Sequence, residues 1–401
     1  MILQDLQKCD CASLEQLHIS SAPKISVLMP VYNGARYLRQ AVESILAQNF
    51  REFEFVIIDD GSTDSSLEIL RSYRDSRIRI ARNEINLGLI QTLNKGLDLV
   101  RSDLVVRMDA DDISVPHRLS HQFEFMSHHP EIGICGGRVM TFGDSLPAVW
   151  RPPTDPSQIK AKLFFENCLA HNTVAIRKSF LSRFSLSYEA GFPHAEDWRL
   201  WWQASNYFSI ANLTEILVLY RSHAESVSAS SSLAQYETGK KIIHDIRLYH
   251  HLPIDESATP IFYSRFYKPL LSSISTLLAA EKGLKGLSDW NIRTNSFDHK
   301  YFIQNVRETW LQHSLSFCIF GIRTFFIFWH SPLSRGHRYS IESLRLFLSC
   351  IFRRRLTQHS LLLPMLPIHL PILIKSLFLK REVNRAIQCY WSDPKSAGDK
   401  Q

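Results

Sequence analysis

The sequence predicts an α/β fold for about the first half of the chain and a mostly helical region after it. From Lys24 to about Gly137, short apolar runs alternate with amphipathic helical patterns, which is typical of a parallel sheet. Three of these runs end in polar or acidic residues. Because ligands of open α/β sheets lie outside the carboxyl ends of the strands, these ends are where we expect a binding site.

The three strand ends carry different side chains. Ile25–Met29 leads into Pro30-Val31-Tyr32-Asn33, Phe55–Ile58 into Asp59-Asp60-Gly61-Ser62, and Leu104–Val106 into the acidic run Asp109-Ala110-Asp111-Asp112. Carboxylates crowded at the end of a buried strand are costly unless a positive group binds there. A divalent metal that carries a diphosphate is the obvious candidate. The three ends together therefore predict a nucleotide-diphosphate pocket.

Helices are expected between the strands. The first has an apolar face at helical spacing, made of Tyr37, Leu38, Ala41, Val42, Ile45 and Leu46. The second is expected to open near Ser65, which together with Glu68 has the spacing of a capping box. The third is expected to start at Val115-Pro116, with proline in the first turn. Gly136-Gly137 is expected to end this first half of the fold.

Sequence pattern and composition divide the chain into three segments. Residues 1–22 are an irregular lead-in, residues 23–235 the α/β domain, and residues 236–401 a helical, basic region.

The net charge of +7 favours an anionic partner such as a phosphorylated substrate or a membrane surface, and no motif that reads nucleic acid is present. Seven scattered cysteines are expected to be reduced thiols. Because Met1–Asp5 lacks the features of a signal peptide, we expect a cytoplasmic protein.

The apolar stretches of the C-terminal region leave three interpretations open. They are Leu315–Trp329, Ile341–Phe352, which precedes Arg353-Arg354-Arg355, and the proline-interrupted Leu361–Leu379. We favour a helical domain with a buried core. Close behind is a set of interfacial helices lying on an anionic membrane, on the inner face of the plasma membrane. A transmembrane span comes last, because the stretches are short or interrupted by charges.

Residues 24–223 resemble the family 2 glycosyltransferases, which bind nucleotide sugars on a GT-A fold. The resemblance rests on the order and spacing of several motifs: Pro30–Asn33, Asp59–Asp64, Asn86-Leu87-Gly88, Asp109–Asp112, His171 and Glu196-Asp197. It implies a mixed sheet flanked by helices and an inverting, metal-dependent transfer of a sugar to an acceptor hydroxyl. It also implies Mg²⁺ or Mn²⁺ as cofactor and a UDP-sugar as the first choice of donor, ahead of thymidine and guanosine nucleotides.

The donor is expected to contact residues from all three strand ends. The expected contacts are Pro30, Tyr32, Asn33, Asp59, Asp60, Asp109, Ala110, Asp111, His171 and Arg221. Tyr32 would stack on the base, unless it is an ordinary turn aromatic, and Asp60 would accept a hydrogen bond from the base imide. Asp109 and Asp111, which alternate on one face of an extended segment, would hold ribose and metal, with His223 as a third metal ligand.

The catalytic base is expected at Glu196-Asp197, where the family places it. Inversion needs a carboxylate opposite the leaving group to deprotonate the acceptor hydroxyl. We favour Asp197, with Glu196 as a neighbour that binds acceptor or raises the pKa of Asp197; the opposite assignment stays open. Taken alone, two acids at a helix start are often only partners of the helix dipole.

The expected function is synthesis of a bacterial cell-surface polysaccharide or glycolipid, on a saccharide or lipid-linked saccharide acceptor. The alternative is a catalytically silent nucleotide-sugar-binding or scaffolding subunit of a membrane-associated assembly. A sugar-phosphate nucleotidyltransferase is disfavoured because the first strand is not followed by a glycine-rich basic loop.

Overall fold

The computed structural model describes residues 22–223, 232–252 and 273–351. Within them one sheet contains nine strands, in the order β3-β2-β1-β4-β8-β6-β9-β5, with β7 paired to β6. The strands are β1 Ile25–Val31, β2 Phe53–Asp59, β3 Ile78–Arg82, β4 Leu104–Arg107, β5 Ile113–Ser114, β6 Ile132–Gly143, β7 Val149–Trp150, β8 Ala175–Arg177 and β9 Ser209–Ser222.

The described residues also form twelve α-helices. Those within and beside the sheet are α1 Ala35–Leu46, α2 Ser66–Ser72, α3 Leu89–Leu99, α4 Arg118–His128, α5 Pro156–Leu163, α6 Lys178–Arg183 and α7 Glu196–Ala204. The later ones are α8 Ser232–Tyr249, α9 Ile274–Thr294, α10 His299–Ser316, α11 Ile322–His330 and α12 Ile341–Ile351. The structure thus confirms the predicted combination of a mixed sheet flanked by helices and a helical C-terminal region.

The sheet changes direction halfway across. Strands β3, β2, β1 and β4 run parallel, so their carboxyl ends meet at one edge. Strand β8 then pairs antiparallel with both β4 and β6, and β5 pairs antiparallel with β9. Strand β2 is buried along its whole length, as expected for the centre of a sheet covered on both faces. The acidic run after β4 therefore lies where the parallel half meets the antiparallel half.

Three local predictions are corrected by the structure. Ser65 precedes α2 but makes no side-chain cap; instead Asp64 Oδ1 accepts a hydrogen bond from the Ser66 amide at 2.9 Å. Helix α4 begins at Arg118 rather than at Pro116. Gly136-Gly137 lies inside β6, which pairs with β9 on both sides of the two glycines.

The C-terminal helices share a core with the sheet domain. Phe164, just after α5, lies in an aromatic cluster whose ring centroids are 5.2 Å away at Phe302, 5.4 Å at Phe297 and 6.2 Å at Trp290. Helices α9 and α10 therefore pack on α5 by burying apolar surface. Among the described helices, none combines the length and hydropathy of a membrane span. The predicted lead-in and the stretch Leu361–Leu379 lie outside the described residues.

Candidate active site

The loops that follow β1 and β2 are joined by hydrogen bonds. Asn33 donates its amide to Ser62 Oγ at 3.0 Å, and Asn33 Oδ1 accepts from the Thr63 amide at 2.9 Å. The Ala35 amide donates to Asp64 Oδ2 at 3.0 Å. The turn after Asp59-Asp60 therefore holds the segment after β1 in place through these hydrogen bonds. Tyr32 therefore presents a ring that is 48% exposed from a well-held loop.

Asp60 organises a third loop. Its buried carboxylate accepts hydrogen bonds from Asn83 Nδ2 at 2.7 Å, from the Leu87 amide at 2.9 Å and from the Gly88 amide at 2.9 Å. Gly61 next to it has φ +70°, and a Cβ there would lie 2.6 Å from the Ile85 carbonyl carbon, so glycine is required. Both carboxylate oxygens of Asp60 thus accept hydrogen bonds from the Asn83–Gly88 loop.

Asp59 is buried but incompletely paired. Its Oδ1 accepts a hydrogen bond from the Ser62 amide at 3.3 Å. Its Oδ2 accepts no hydrogen bond from the described residues, although Arg82 Nε lies 3.3 Å away as an ion-pair partner. The Arg82 side chain is 51% exposed. Because Asp59 is fully buried, a donor group of a ligand would reach this oxygen only if the half-exposed Arg82 side chain moved.

The acidic run after β4 gathers oxygen atoms in a small volume. Carboxylate oxygens of Asp109, Asp111 and Asp112 lie within 4.8 Å of one another. His223 Nε2 lies 3.0 Å from Asp111 Oδ2, so the structure brings the three predicted metal ligands together at one corner. Ala110 lies beside Gly34, where a Cβ added to the glycine would meet the alanine Cβ at 3.5 Å. The loops after β1 and β4 therefore form adjacent walls of one site.

Asp112 connects the acidic run to neighbouring segments. It is fully buried, and its two oxygens accept hydrogen bonds from the Arg221 amide at 2.8 Å and from Asn172 Nδ2 at 2.5 Å. The Arg221 guanidinium donates to the Asp111 carbonyl at 2.7 Å and to Gln40 Oε1 at 2.6 Å. Arg221 thus ties the end of β9 to the acidic loop.

The donor set of this corner fits a hard divalent cation. Burial raises the pKa of Asp109, opposed by the Arg107 charge and reinforced by Asp111. Burial, with repulsion from Asp109 and Asp111, raises the pKa of Asp112 well above its ordinary value. Carboxylates that repel one another in this way are relieved by a bound cation. Oxygen atoms with one imidazole nitrogen are ligands that Mg²⁺ and especially Mn²⁺ accept.

Two buried arginines offset the acids. Arg107 is 4% exposed and contacts Asp109 through Nη1. Arg118 is fully buried and donates to the Arg107 carbonyl at 2.6 Å and to Gln122 Oε1 at 3.1 Å. Burial and the nearby Arg107 charge lower the pKa of Arg118 to about 9, and its charge interacts with Asp109 and Asp112. Sequence reasoning missed Arg118, because an arginine in a helix's first turn is expected to be solvated.

The second half of the site is built around α7. Asp197 accepts hydrogen bonds from Asn167 Nδ2 at 2.7 Å on Oδ2 and from the Trp198 amide at 2.6 Å on Oδ1. Burial and the neighbouring Glu196 raise the pKa of Asp197 to about 7. This is the value that suits a general base near neutral pH. The Asn167 contact is a second feature that sequence reasoning missed.

His171 lies between Glu196 and Tyr188. His171 Nδ1 is 3.6 Å from Glu196 Oε1, and Nε2 is 2.9 Å from the Tyr188 hydroxyl. Burial and Arg107 lower the pKa of His171 well below its ordinary value, so this imidazole is neutral at pH 7. The residue lies in a 3₁₀ turn, His171–Thr173. Arg107 interacts electrostatically with Asp109, Tyr188 and Glu196, and so links the acidic corner to the α7 acids.

The sequence also matches known proteins. Residues 26–189 match the family model for glycosyl transferase family 2. An uncharacterized glycosyltransferase of Haemophilus influenzae is 31% identical over 249 residues, which cover 58% of this chain and 76% of the relative. The O-antigen biosynthesis glycosyltransferase WbnJ of Escherichia coli is 32% identical over 222 residues, covering 53% of this chain and 85% of WbnJ.

Solved structures share the fold. S. aureus TarS 1-349 in complex with UDP-GlcNAc superposes with a TM-score of 0.50 at 19% identity, over 73% of this chain and 86% of TarS 1-349. At 19% identity, this similarity is evidence for a shared fold only.

The buried arginine beneath the acidic run generates a stability prediction. The substitution Arg118→Met should lower the free energy of unfolding by about 3–5 kcal/mol. Asp109 and Asp112 lose a buried countercharge, and the Arg107 carbonyl and Gln122 Oε1 lose their hydrogen-bond donor. Arg118→Lys should lose less. Urea unfolding at pH 7.5 measures both. The control is Arg101→Met, whose side chain is 63% exposed and should change stability by less than about 0.5 kcal/mol. Equal stabilities for the two Met variants would contradict the role given to Arg118.

Proposed function

Because this chain belongs to glycosyl transferase family 2, we propose that it is an inverting, metal-dependent enzyme that moves a sugar from a nucleotide diphosphate sugar to an acceptor hydroxyl. The observation that carries the proposal is the presence of two acidic corners, Asp109–Asp112 and Glu196-Asp197, which both interact with the buried Arg107. One corner suits a diphosphate with its cation and the other suits an acceptor hydroxyl. A uridine nucleotide is the favoured donor base.

The base of the donor would lie over the first two strand ends. Tyr32 offers a half-exposed ring for stacking. Asp59 Oδ2 offers a buried acceptor to a base N–H, once Arg82 moves aside. Asp60 would then act by holding the Asn83–Gly88 loop that walls this pocket. Pro30 and Asn33, at the end of β1, would contact the donor from the neighbouring loop, where Asn33 is held by Ser62.

The diphosphate would lie at the acidic corner. Asp109, Asp111 and His223 are the residues that would hold Mg²⁺ or Mn²⁺. Ala110, between the two acids, lies beside Gly34 of the loop after β1. The cation supplies positive charge that offsets the charge developing on the departing diphosphate. Arg221 stabilises the loop by its bonds to the Asp111 carbonyl and to Gln40.

Asp197 would be the general base. Its carboxylate takes the proton of the acceptor hydroxyl while that oxygen forms a bond to the anomeric carbon. The bond from the anomeric carbon to the diphosphate oxygen breaks, and its electron pair leaves with the nucleoside diphosphate. Attack from the face opposite the leaving group inverts the configuration. Glu196, buried and beside neutral His171, raises the proton affinity of Asp197 by repulsion.

We propose a saccharide or lipid-linked saccharide as acceptor, in bacterial surface polysaccharide synthesis, and a peripheral position on an anionic membrane. The similarity to the E. coli relative named for O-antigen biosynthesis supports the first part. Exposed apolar side chains of the C-terminal region support the second. This set, named the apolar face, comprises Ile319, Ile322, Phe326, Ile341, Leu344 and Ile351, each 39–79% exposed. Exposed Arg323 and Arg335 accompany it, which suits anionic headgroups.

Nucleotide binding tests the donor site. UDP, GDP and dTDP are each added to the protein with Mn²⁺ or with EDTA, and the melting temperature is recorded. A ligand that binds the native state raises stability by mass action, so UDP with Mn²⁺ should give the largest rise. Asp111→Asn should abolish the metal-dependent part. If no nucleotide shifts the melting temperature under either condition, the silent scaffold becomes the better explanation.

The role of Asp197 predicts opposite effects on turnover and stability. Asp197→Asn should bind UDP like the native protein yet lose about 10²-fold or more in UDP release from UDP-GlcNAc, UDP-glucose or UDP-galactose. A carboxyl whose folded-state pKa is raised to about 7 costs stability as pH rises from about 4 to 7. The variant should therefore be more stable by about 1–3 kcal/mol at pH 8, with no difference below pH 4. Native turnover in Asp197→Asn would move the base to Glu196.

Vesicle flotation tests the apolar face. Phe326→Ser/Ile341→Ser/Leu344→Ser should lose several-fold of its binding to vesicles with about 30% phosphatidylserine, because its apolar area no longer enters the lipid. The control is Ile85→Ser/Leu146→Ser, which removes two apolar side chains, 68% and 55% exposed, from the sheet domain. Raising the salt should weaken native binding. If the triple variant floats as well as the control, this face does not contact the membrane.

A further inference from the structure

Asn167 occupies a position that neither the sequence motifs nor the comparisons single out. Its Nδ2 donates to Asp197 Oδ2 at 2.7 Å, while its own Oδ1 accepts from the Leu169 amide at 3.1 Å. The second bond fixes which way the amide faces, because only an oxygen can accept from a backbone N–H. The NH₂ group is thereby committed to the carboxylate.

We propose that Asn167 is a positioning residue for Asp197, which holds Oδ2 so that the carboxylate meets the acceptor hydroxyl in one orientation. This rests on the proposed function, in which Asp197 is the base. The Trp198 amide holds Oδ1 at 2.6 Å from within α7. With one donor on each oxygen, rotation of the carboxyl group about its Cβ–Cγ bond is restricted, and each oxygen keeps one lone pair free.

The segment that carries Asn167 is itself anchored from three directions. Phe164 enters the aromatic cluster of α9 and α10, with Phe302 at 5.2 Å. The Leu163 carbonyl accepts from Trp198 Nε1 at 2.9 Å, which ties the segment to α7. The Cys168 carbonyl accepts from Asn212 Nδ2 at 3.2 Å, which ties it to β9. Asn167 therefore receives its position from the C-terminal helices and the sheet together.

The bond also opposes the two effects that favour protonation of the base. Burial and the Glu196 charge raise the pKa of Asp197, whereas the Asn167 and Trp198 donors lower it. A donor to the ionised carboxylate stabilises the form that can accept a proton. Loss of Asn167 should therefore leave Asp197 protonated over a wider pH range.

The test follows Asp197 directly by ¹³C-carboxyl NMR of aspartate-labelled protein, with the signal assigned by its absence in Asp197→Asn. In Asn167→Ala the titration midpoint of Asp197 should rise by about one pH unit, a tenfold change in proton affinity. The acid limb of UDP release from UDP-GlcNAc, UDP-glucose or UDP-galactose should move by the same amount, with KM for the donor unchanged. The matched control is Asn206→Ala, whose Nδ2 donates to the Trp202 carbonyl at 3.1 Å just after the same helix.

Two outcomes separate this role from the proposed function. An unchanged Asp197 midpoint in folded Asn167→Ala, with Asp197→Asn inactive, overturns the role of Asn167 and leaves the base assignment intact. Native activity in Asp197→Asn overturns the base assignment and the role of Asn167 with it. Asn167→Asp gives a second check, since an added carboxylate of the same size should raise the midpoint further than Asn167→Ala does.

Discussion

The balance between buried acids and buried arginines is the constraint on which the site depends. Asp112 and Glu196 are buried and Asp109 is partly buried, and carboxylates in such surroundings are costly unless compensated. Arg107 and Arg118 supply positive charge inside the protein. Arg107 contacts Asp109, and Arg118 donates a hydrogen bond to the Arg107 carbonyl. Because the fold holds both arginines, charges of the protein itself partly compensate the acidic corner.

Ion pairs and hydrogen bonds also join the C-terminal helices to the helix that carries Glu196 and Asp197. Arg199, one turn into α7, pairs with Asp245 of α8 at 2.9 Å and with Glu189 at 3.1 Å. Thr238 of α8 donates to the Pro193 carbonyl at 2.8 Å, just before the acids of α7. Helix α8 thus fixes the start of α7, as α9 and α10 fix the segment at Phe164. Glu196 and Asp197 are held by contacts that the sheet alone does not supply.

The sequence could predict the parts of this site that depend on local patterns. The strands end where apolar runs meet acids, so the position of Asp59, Asp109 and Asp111 at one edge of the sheet follows from the pattern. Arg118 and Asn167 could not be predicted, because their roles come from burial and from contacts between segments distant in the chain. The capping box at Ser65 failed for a related reason: Asp64 supplies the cap while also binding the Ala35 amide across the loop.

The acid pair after β2 shows how one motif divides structural and binding work. Asp60 accepts bonds from Asn83, Leu87 and Gly88, so its carboxylate is committed to the protein. Asp59 retains an oxygen with no hydrogen-bond donor among the described residues, under the half-exposed Arg82. A ligand N–H that replaced Arg82 would satisfy a buried acceptor without breaking any hydrogen bond of the fold, whereas binding to Asp60 would disrupt the loop. Within the proposed function, Asp59 is therefore the better candidate acceptor for a nucleobase N–H, and Asp60 would hold the Asn83–Gly88 loop beside it.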